Sequence, residues 1–169
     1  MDLLLAIGLL IFVATFAYAG LRGAPWVPTR GHDVERFLKL AEIKAEQKMY
    51  DLGCGDGRIV CAAAKAGARA QGFEISLLPY FLAKIRSYFC GEHESCKIRY
   101  RDFWNVNLAD ADLVYFFLMQ KCYPKLKEKL ERELKKGTKV IAYVWPIEGW
   151  TPVAVDIVKG YPPMYLYKI

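Results

Sequence analysis

The hydrophobic and polar positions divide the chain into an apolar N-terminal run and a longer segment of alternating helical and strand patterns. Leu3 to Leu21 contains no charged residue. A run of that length, at about 1.5 Å per residue, spans roughly 28 Å, close to the thickness of a bilayer core. The run therefore predicts an N-terminal transmembrane anchor over residues 1–21. A cleaved signal peptide is the alternative, because Ala17-Tyr18-Ala19 resembles a cleavage site.

A short linker over 22–32 is predicted next, because Gly and Pro recur between Gly20 and Gly31. Basic residues follow the apolar run, beginning with Arg22 and Arg30, and none precedes it. By the positive-inside rule, the domain that follows should face the cytoplasm.

Residues 33–169 carry the pattern of one α/β domain. Apolar residues at Val34, Phe37, Leu38 and Ala41 predict a first helix, with Asp33 as its N-cap. Strands are predicted at 48–52, 69–74, 97–101, 112–118 and 138–145, with helices at 58–66, 77–89 and 124–136, the last C-capped by Gly137. An antiparallel hairpin is predicted at 152–158 and 164–169. The alternation predicts a doubly wound, mostly parallel, seven-stranded Rossmann-like sheet with its ligand at the carboxyl ends of the strands.

Composition narrows the class of protein. Hydrophobic residues make up 54% and charged residues 25% of the 169 residues, which excludes a disordered chain and a small disulfide scaffold. Five cysteines, odd in number and unclustered, suit a reducing compartment. The net charge of +6 indicates anionic lipid or an acidic partner. We expect no nucleic-acid partner, since the segment 125–136 mixes both signs of charge at helical spacing.

The segment from Asp51 to Arg58 carries the strongest chemical signal. Its sequence, Asp-Leu-Gly-Cys-Gly-Asp-Gly-Arg, lies between a predicted strand and a predicted helix. The dinucleotide fingerprint would place its third glycine where Arg58 stands. The Asp56 carboxylate would repel a pyrophosphate, but it suits a ligand with an ammonium and a sulfonium, namely S-adenosylmethionine. Asp51 and Asp56 can order the turn and receive the methionyl ammonium.

Acidic residues at the ends of the next two strands complete this pattern. Glu74 ends the second strand, where a carboxylate reaches the ribose hydroxyls. Asp102 ends the third strand and can accept the adenine amino group, while Phe103 packs on the ring. The predicted cofactor-binding residues are Thr29, Asp51, Gly53, Cys54, Gly55, Asp56, Glu74, Ile75, Asp102 and Phe103.

These residues resemble the seven-β-strand (class I) methyltransferases. Together with the N-terminal run and Trp26-Val27-Pro28-Thr29, they look like the membrane-anchored protein-lysine methyltransferases of the ATP synthase c-subunit and adenine nucleotide translocase type, with their prokaryotic relatives. The resemblance implies S-adenosylmethionine-dependent methylation of a lysine close to the membrane, and in a eukaryote it implies the mitochondrial inner membrane. Arg30 departs from the family, which usually continues Val-Pro-Thr with another proline.

Other candidate sites are weaker. Asp56, Glu148 and Trp145 are the only candidates for catalysis, and aromatic residues on the central strands, such as Phe117, could line a lysine channel. Cys90, His93 and Cys96 lack a fourth ligand, so we expect a polar turn and no metal. Two alternatives stay open: methylation of a lipid or small hydrophobic molecule, and a catalytically silent, membrane-tethered cofactor-binding module.

Overall fold

The computed structural model describes residues 3–169 and builds an α/β domain behind an N-terminal helix. The helices are α1 Leu3–Arg22, α2 Gly31–Ala41, α3 Arg58–Lys65, α4 Leu77–Phe89 and α5 Tyr123–Glu133. The strands are β1 Lys48–Leu52, β2 Arg69–Glu74, β3 Cys96–Tyr100, β4 Leu113–Phe116, β5 Lys139–Tyr143, β6 Ala154–Asp156 and β7 Met164–Lys168. Single 3-10 turns cover Phe103–Asn105 and Gln120–Cys122.

The strands form one seven-stranded sheet in the order β3-β2-β1-β4-β5-β7-β6. The five strands from β3 to β5 in this order run parallel, whereas β7 is antiparallel to both β5 and β6. This confirms the predicted doubly wound sheet with its terminal hairpin. The chain reverses its direction of winding between β1 and β4, which places a crevice at their carboxyl ends.

Helices cover both faces of the sheet. On one face, Phe37 of α2, Val60 of α3 and Ala83 of α4 are fully buried in a shared apolar cluster. On the other face, Leu126 and Leu130 of α5 pack into a second cluster. The four residues of β4 are all buried, which explains why that strand reads as a continuous apolar run.

Two predicted helix caps are wrong. Helix α2 begins at Gly31, and Arg30 occupies its N-cap position. The Asp33 carboxylate is fully buried and accepts hydrogen bonds from Arg36 Nη1 and from the Tyr143 hydroxyl, both at 2.8 Å. Because the carboxylate bonds to these two side chains, it does not cap the backbone N–H groups at the start of α2. Helix α5 ends at Glu133, so Gly137 lies in the turn before β5 instead of capping the helix.

The predicted transmembrane anchor is not supported. The run forms helix α1 as expected, and the first two residues of the predicted anchor lie outside the described residues. Within residues 3–169, no helix is both long enough and apolar enough to qualify as a membrane span. An apolar helix can also lie against a domain, and here Ala14, Thr15 and Tyr18 line a cleft with residues that follow β2 and β3.

Candidate cofactor pocket

A pocket opens at the carboxyl ends of β1, β2 and β4, where the order of the strands reverses. The space between its walls, including the open mouth, is about 720 Å³. The walls come from the glycine turn after β1, the end of β2, the segment after β3, the end of β4 and the linker before α2. The predicted edge of the sheet therefore carries the site.

The glycine turn forms the floor of this pocket. Gly55 has φ +54°, and a Cβ there would lie 2.9 Å from Trp26 Cδ1, so only glycine lets the indole rest on the turn. Gly57 has φ +76°, and its Cβ would lie 3.0 Å from the Ala83 Cβ. Gly57 thus lets the start of α3 approach α4 closely.

Asp51 presents an unpaired carboxylate to the pocket. Its side chain is 2% exposed and lines the pocket. Among residues 3–169 the carboxylate has no hydrogen bond and no ion pair. Burial, followed by the charges of Glu74 and Asp56, raises the pKa of Asp51 well above its ordinary value. A buried carboxyl group of this kind gains most from a cationic ligand.

Asp56 also lines the pocket, but its carboxylate is already paired. Its Oδ2 accepts hydrogen bonds from Arg58 Nη2 at 2.5 Å and from Arg86 Nη2 at 3.0 Å. Burial opposes ionisation, yet the two guanidinium groups outweigh it, so the pKa of Asp56 lies below its ordinary value. Of the two carboxylates predicted to receive the methionyl ammonium, Asp51 is the one left unpaired.

Glu74 connects the end of β2 to the glycine turn. One carboxylate oxygen accepts the Gly55 backbone N–H at 2.9 Å, and the other accepts those of Ile75 and Ser76 at 2.8 and 2.7 Å. Burial raises the pKa of Glu74, and these backbone hydrogen bonds only partly oppose the rise. Two carboxylate oxygens offer about four acceptor sites. Three of these sites are taken by backbone amides, so the predicted hydrogen bonds from the ribose hydroxyls would have to use the remaining acceptor capacity of Glu74.

The third predicted acidic residue lies beside the pocket and not in its lining. The Asp102 carboxylate accepts the Trp104 backbone N–H at 3.0 Å and caps the 3-10 turn that follows β3. Asp102 lines the neighbouring cleft against α1. A side chain that caps its own turn is held locally, and the contact of Asp102 with the adenine amino group stays a prediction. Phe103, the next residue, lines the pocket.

The remaining predicted residues divide into two groups. Thr29, Cys54, Ile75 and the proposed channel residue Phe117 all line the pocket. Neither Trp145 nor Glu148 is among the lining residues. Trp145 packs against the apolar cluster under α5, and Glu148 is exposed in the turn after β5.

The linker contributes more to the pocket than the sequence predicted. Residues 23–29 line the pocket, and Arg58 Nη1 donates a hydrogen bond to the Thr29 carbonyl oxygen. Within the described residues 3–169, the indole N–H of Trp26 is buried without a hydrogen-bond partner, as is the Tyr115 hydroxyl on β4. The run Pro25-Trp26-Val27-Pro28 was the signal in the sequence, because a lone Trp between prolines rarely serves a free linker.

These groups fit S-adenosylmethionine. An unpaired buried carboxylate suits the ammonium, and the ring of Phe103 suits the adenine. Trp26 and Tyr115 offer unused buried donors, and burial raises the pKa of Tyr115 so that its hydroxyl keeps the proton. Buried polar atoms without partners are rare in folded proteins, so both point to a ligand with polar atoms.

Comparison with known proteins gives the same fold and chemistry. The profile of the ANTKMT methyltransferase domain family matches residues 51–154. An RNA methyltransferase from Salinibacter ruber, solved with S-adenosyl-L-homocysteine, superposes with a TM-score of 0.80 at 31% identity, covering 85% of this chain and 94% of that one.

Curated relatives carry lysine methyltransferase names. The lysine N-methyltransferase of the ATP synthase c-subunit from Rattus norvegicus is 38% identical over 76% of this chain and 59% of its own length. A protein-lysine N-methyltransferase of Saccharolobus islandicus is 38% identical over 86% of this chain and 93% of its own length. The adenine nucleotide translocase lysine N-methyltransferase of Mus musculus is 35% identical over 86% and 63%. The chain spans between about half and two thirds of the length of the mammalian relatives.

Proposed function

Because the chain belongs to the ANTKMT methyltransferase domain family, with S-adenosylmethionine as its cofactor, we propose that it methylates the side-chain amine of a lysine in a protein substrate. The observation that carries the proposal is the similarity to the Saccharolobus protein-lysine N-methyltransferase, which extends over 93% of that protein. The pocket supports it, because it combines an unpaired buried carboxylate with apolar walls.

The residues of the chain have two tasks in this reaction. When bound, the cofactor supplies a methyl group on a sulfonium, which a nucleophile can accept by in-line displacement. Asp51 would hold the ammonium of the cofactor, and the remaining acceptor capacity of Glu74 would hold the ribose hydroxyls. Phe103 packs on the adenine. Fixing the donor in this way contributes most of what a displacement of this kind needs.

The second task is to present a neutral amine. Lysine has an ordinary pKa of about 10.4, and an apolar environment lowers it. Tyr115 and Phe117 at the end of β4 and Trp26 in the linker provide such walls. Asp56 is unsuited as the base, because Arg58 and Arg86 hold its carboxylate ionised and paired. Loss of the proton therefore rests on desolvation.

We also propose that the domain works at a membrane surface. Leu3, Leu5, Leu10 and Val13 of α1 are each more than half exposed, and exposed apolar patches of this kind mark interaction sites. Flotation of the full chain and of a variant without residues 1–21 with phosphatidylglycerol-containing vesicles tests this, and equal flotation would refute it. The cytoplasmic side stays a prediction.

The substrate class is tested by transfer of labelled methyl groups. Membranes, soluble protein, RNA and extracted lipid are incubated separately with the enzyme and labelled cofactor, and acid hydrolysates of the protein are resolved for methyl-lysine. We expect label in methyl-lysine with the wild-type chain, and much less label with Asp51→Asn at the same cofactor concentration. Label confined to RNA would favour the activity named for the Salinibacter protein, and label confined to lipid would favour a hydrophobic acceptor.

A further inference from the structure

Three cysteine thiols from three different elements meet on the α4 side of the sheet. Cys61 lies on α3, Cys90 directly after α4 and Cys96 at the start of β3. Their Sγ atoms all lie within 4.8 Å of one another, and those of Cys61 and Cys96 are 3.5 Å apart. None of the three lines the cofactor pocket, so this three-cysteine cluster is outside the site described above.

The cluster is enclosed but reachable. Cys61 and Cys96 are 5% and 3% exposed, whereas Cys90 is partly exposed. A groove between α3 and α4 is lined by both Cys61 and Cys90, and it gives a small ion a path to the thiols. Lys65 and Arg86 also line this groove, and cationic neighbours favour the thiolate form that binds metals.

The cluster differs from the cysteine and histidine set that the sequence singled out. The His93 ring lies 5.5 Å from the Tyr88 ring, centroid to centroid, and His93 does not belong to the group of potential ligand atoms. Cys61, which is 29 residues before Cys90 in the sequence, provides the third sulfur. We expected no metal because one turn of the sequence offered too few ligands. The fold adds a ligand from a separate helix, α3.

We propose that Cys61, Cys90 and Cys96 bind one thiophilic metal ion of the Zn²⁺ or Cu⁺ class. Soft thiolate ligands select these ions. A zinc–sulfur bond of about 2.3 Å places tetrahedral thiolates roughly 3.8 Å apart, so small side-chain movements suffice. Each thiol gives its proton to solvent as the metal binds. The three bonds leave a coordination position toward the groove for a water molecule or an exogenous ligand.

The competing chemistry is a disulfide between Cys61 and Cys96. That bond would require a two-electron oxidant, such as a small-molecule disulfide, which would take up the electrons and protons of both thiols. Bond formation would remove two of the three sulfur ligands. The metal and the disulfide therefore exclude each other, and one experiment separates them.

The test uses the full chain, purified with a phosphine reductant and stripped of metal. Zn²⁺ is titrated against a chromogenic chelator and, separately, Cu⁺ against a cuprous chelator. We expect one equivalent of at least one ion to bind. Replacing the partly exposed ligand in Cys90→Ser should weaken binding by more than the roughly 10–100-fold that loss of an outer-shell partner costs. Cys96→Ala should have the same effect.

The control is Cys122→Ala, which removes another buried cysteine, one whose Sγ donates to the Gly23 carbonyl oxygen outside the cluster. It should bind metal like the wild type, and all variants should retain cofactor binding as proof of folding. The proposal is overturned if the reduced wild type binds no equivalent of either ion, or if Cys90→Ser binds as tightly as wild type. A second preparation, purified without reductant, that is 2 Da lighter and binds metal neither before nor after reduction would overturn the proposal and assign the cluster to the disulfide.

Discussion

Replacing Asp51 with Asn should stabilise the folded domain while it weakens cofactor binding. The Asp51 carboxylate is 2% exposed and has no hydrogen bond among residues 3–169, and its nearest charged influences are the carboxylates of Glu74 and Asp56. An unsatisfied buried polar group costs about 1–3 kcal/mol, and more when it is charged. The asparagine amide has the same shape but no charge. The amide also needs hydrogen-bond partners. We therefore expect the free energy of unfolding to rise by about 1 kcal/mol at pH 7, the lower end of this range.

The pH dependence of stability tests whether burial raises the pKa of Asp51. The raised pKa of Asp51 means that the folded state holds the proton more tightly than the unfolded chain. Wild-type stability should therefore fall as the pH rises from the unfolded pKa of about 3.9 through the folded pKa. Asparagine does not titrate, so the Asn variant should not lose stability in this way. The stability of the variant relative to wild type should therefore grow with pH between the unfolded and folded pKa values of Asp51 and vanish near pH 4.

The affinity for the cofactor should fall in the Asn variant, although its stability rises. An arriving ammonium ionises Asp51, so wild-type binding should weaken as the pH falls below the folded pKa of that group. The Asn variant should bind about 1.5–3 kcal/mol more weakly at pH 7, the range for hydrogen bonds to charged groups.

Two assays measure these effects. Thermal unfolding as a function of pH should show the variant about 2–4 °C above wild type at pH 7, and calorimetry gives the affinity. Asp110→Asn is the control, because the Asp110 carboxylate is exposed and paired with Lys48, so its removal should not stabilise the fold. A destabilised Asp51→Asn variant, or one that binds S-adenosylmethionine as wild type does, would refute the assignment of Asp51 as the unpaired ammonium partner.

Three further substitutions test the packing behind the pocket and two of its lining residues. Gly72→Ala should cost about 1–3 kcal/mol of stability, because its Cβ would lie 2.6 Å from Cys54 Sγ; Gly31→Ala, with no atom within 4 Å, is the control, and equal melting temperatures would contradict the packing argument. Glu74→Ala should weaken cofactor binding by about 1.5–3 kcal/mol in calorimetry, and an unchanged affinity would mean that the ribose lies elsewhere. Trp26→Ala should weaken it by about 1 kcal/mol, whereas unaltered binding would show that the indole is only a lid on the turn.

The sequence determined the architecture and the nature of the ligand. The apolar run that contains Leu113–Phe116 indicated a strand buried on both faces, because the alternation of a half-exposed strand is missing. The glycines of the turn at 53–57 predicted a backbone that other residues rarely adopt. Such signals are local, since they depend on the periodicity of neighbouring side chains or on the steric limits of one residue.

Tertiary structure decided which groups are free to act. Asp51 and Asp56 are equivalent in sequence, but α4 brings Arg86 to Asp56 and leaves Asp51 unpaired. Tertiary structure also places Trp26 on Gly55 through the linker, and it brings Cys61 of α3 to Cys96. The pKa of a buried carboxyl group and the ligand count of a thiol cluster depend on distances of a few ångströms between distant segments. Periodicity along one segment carries no information about those distances.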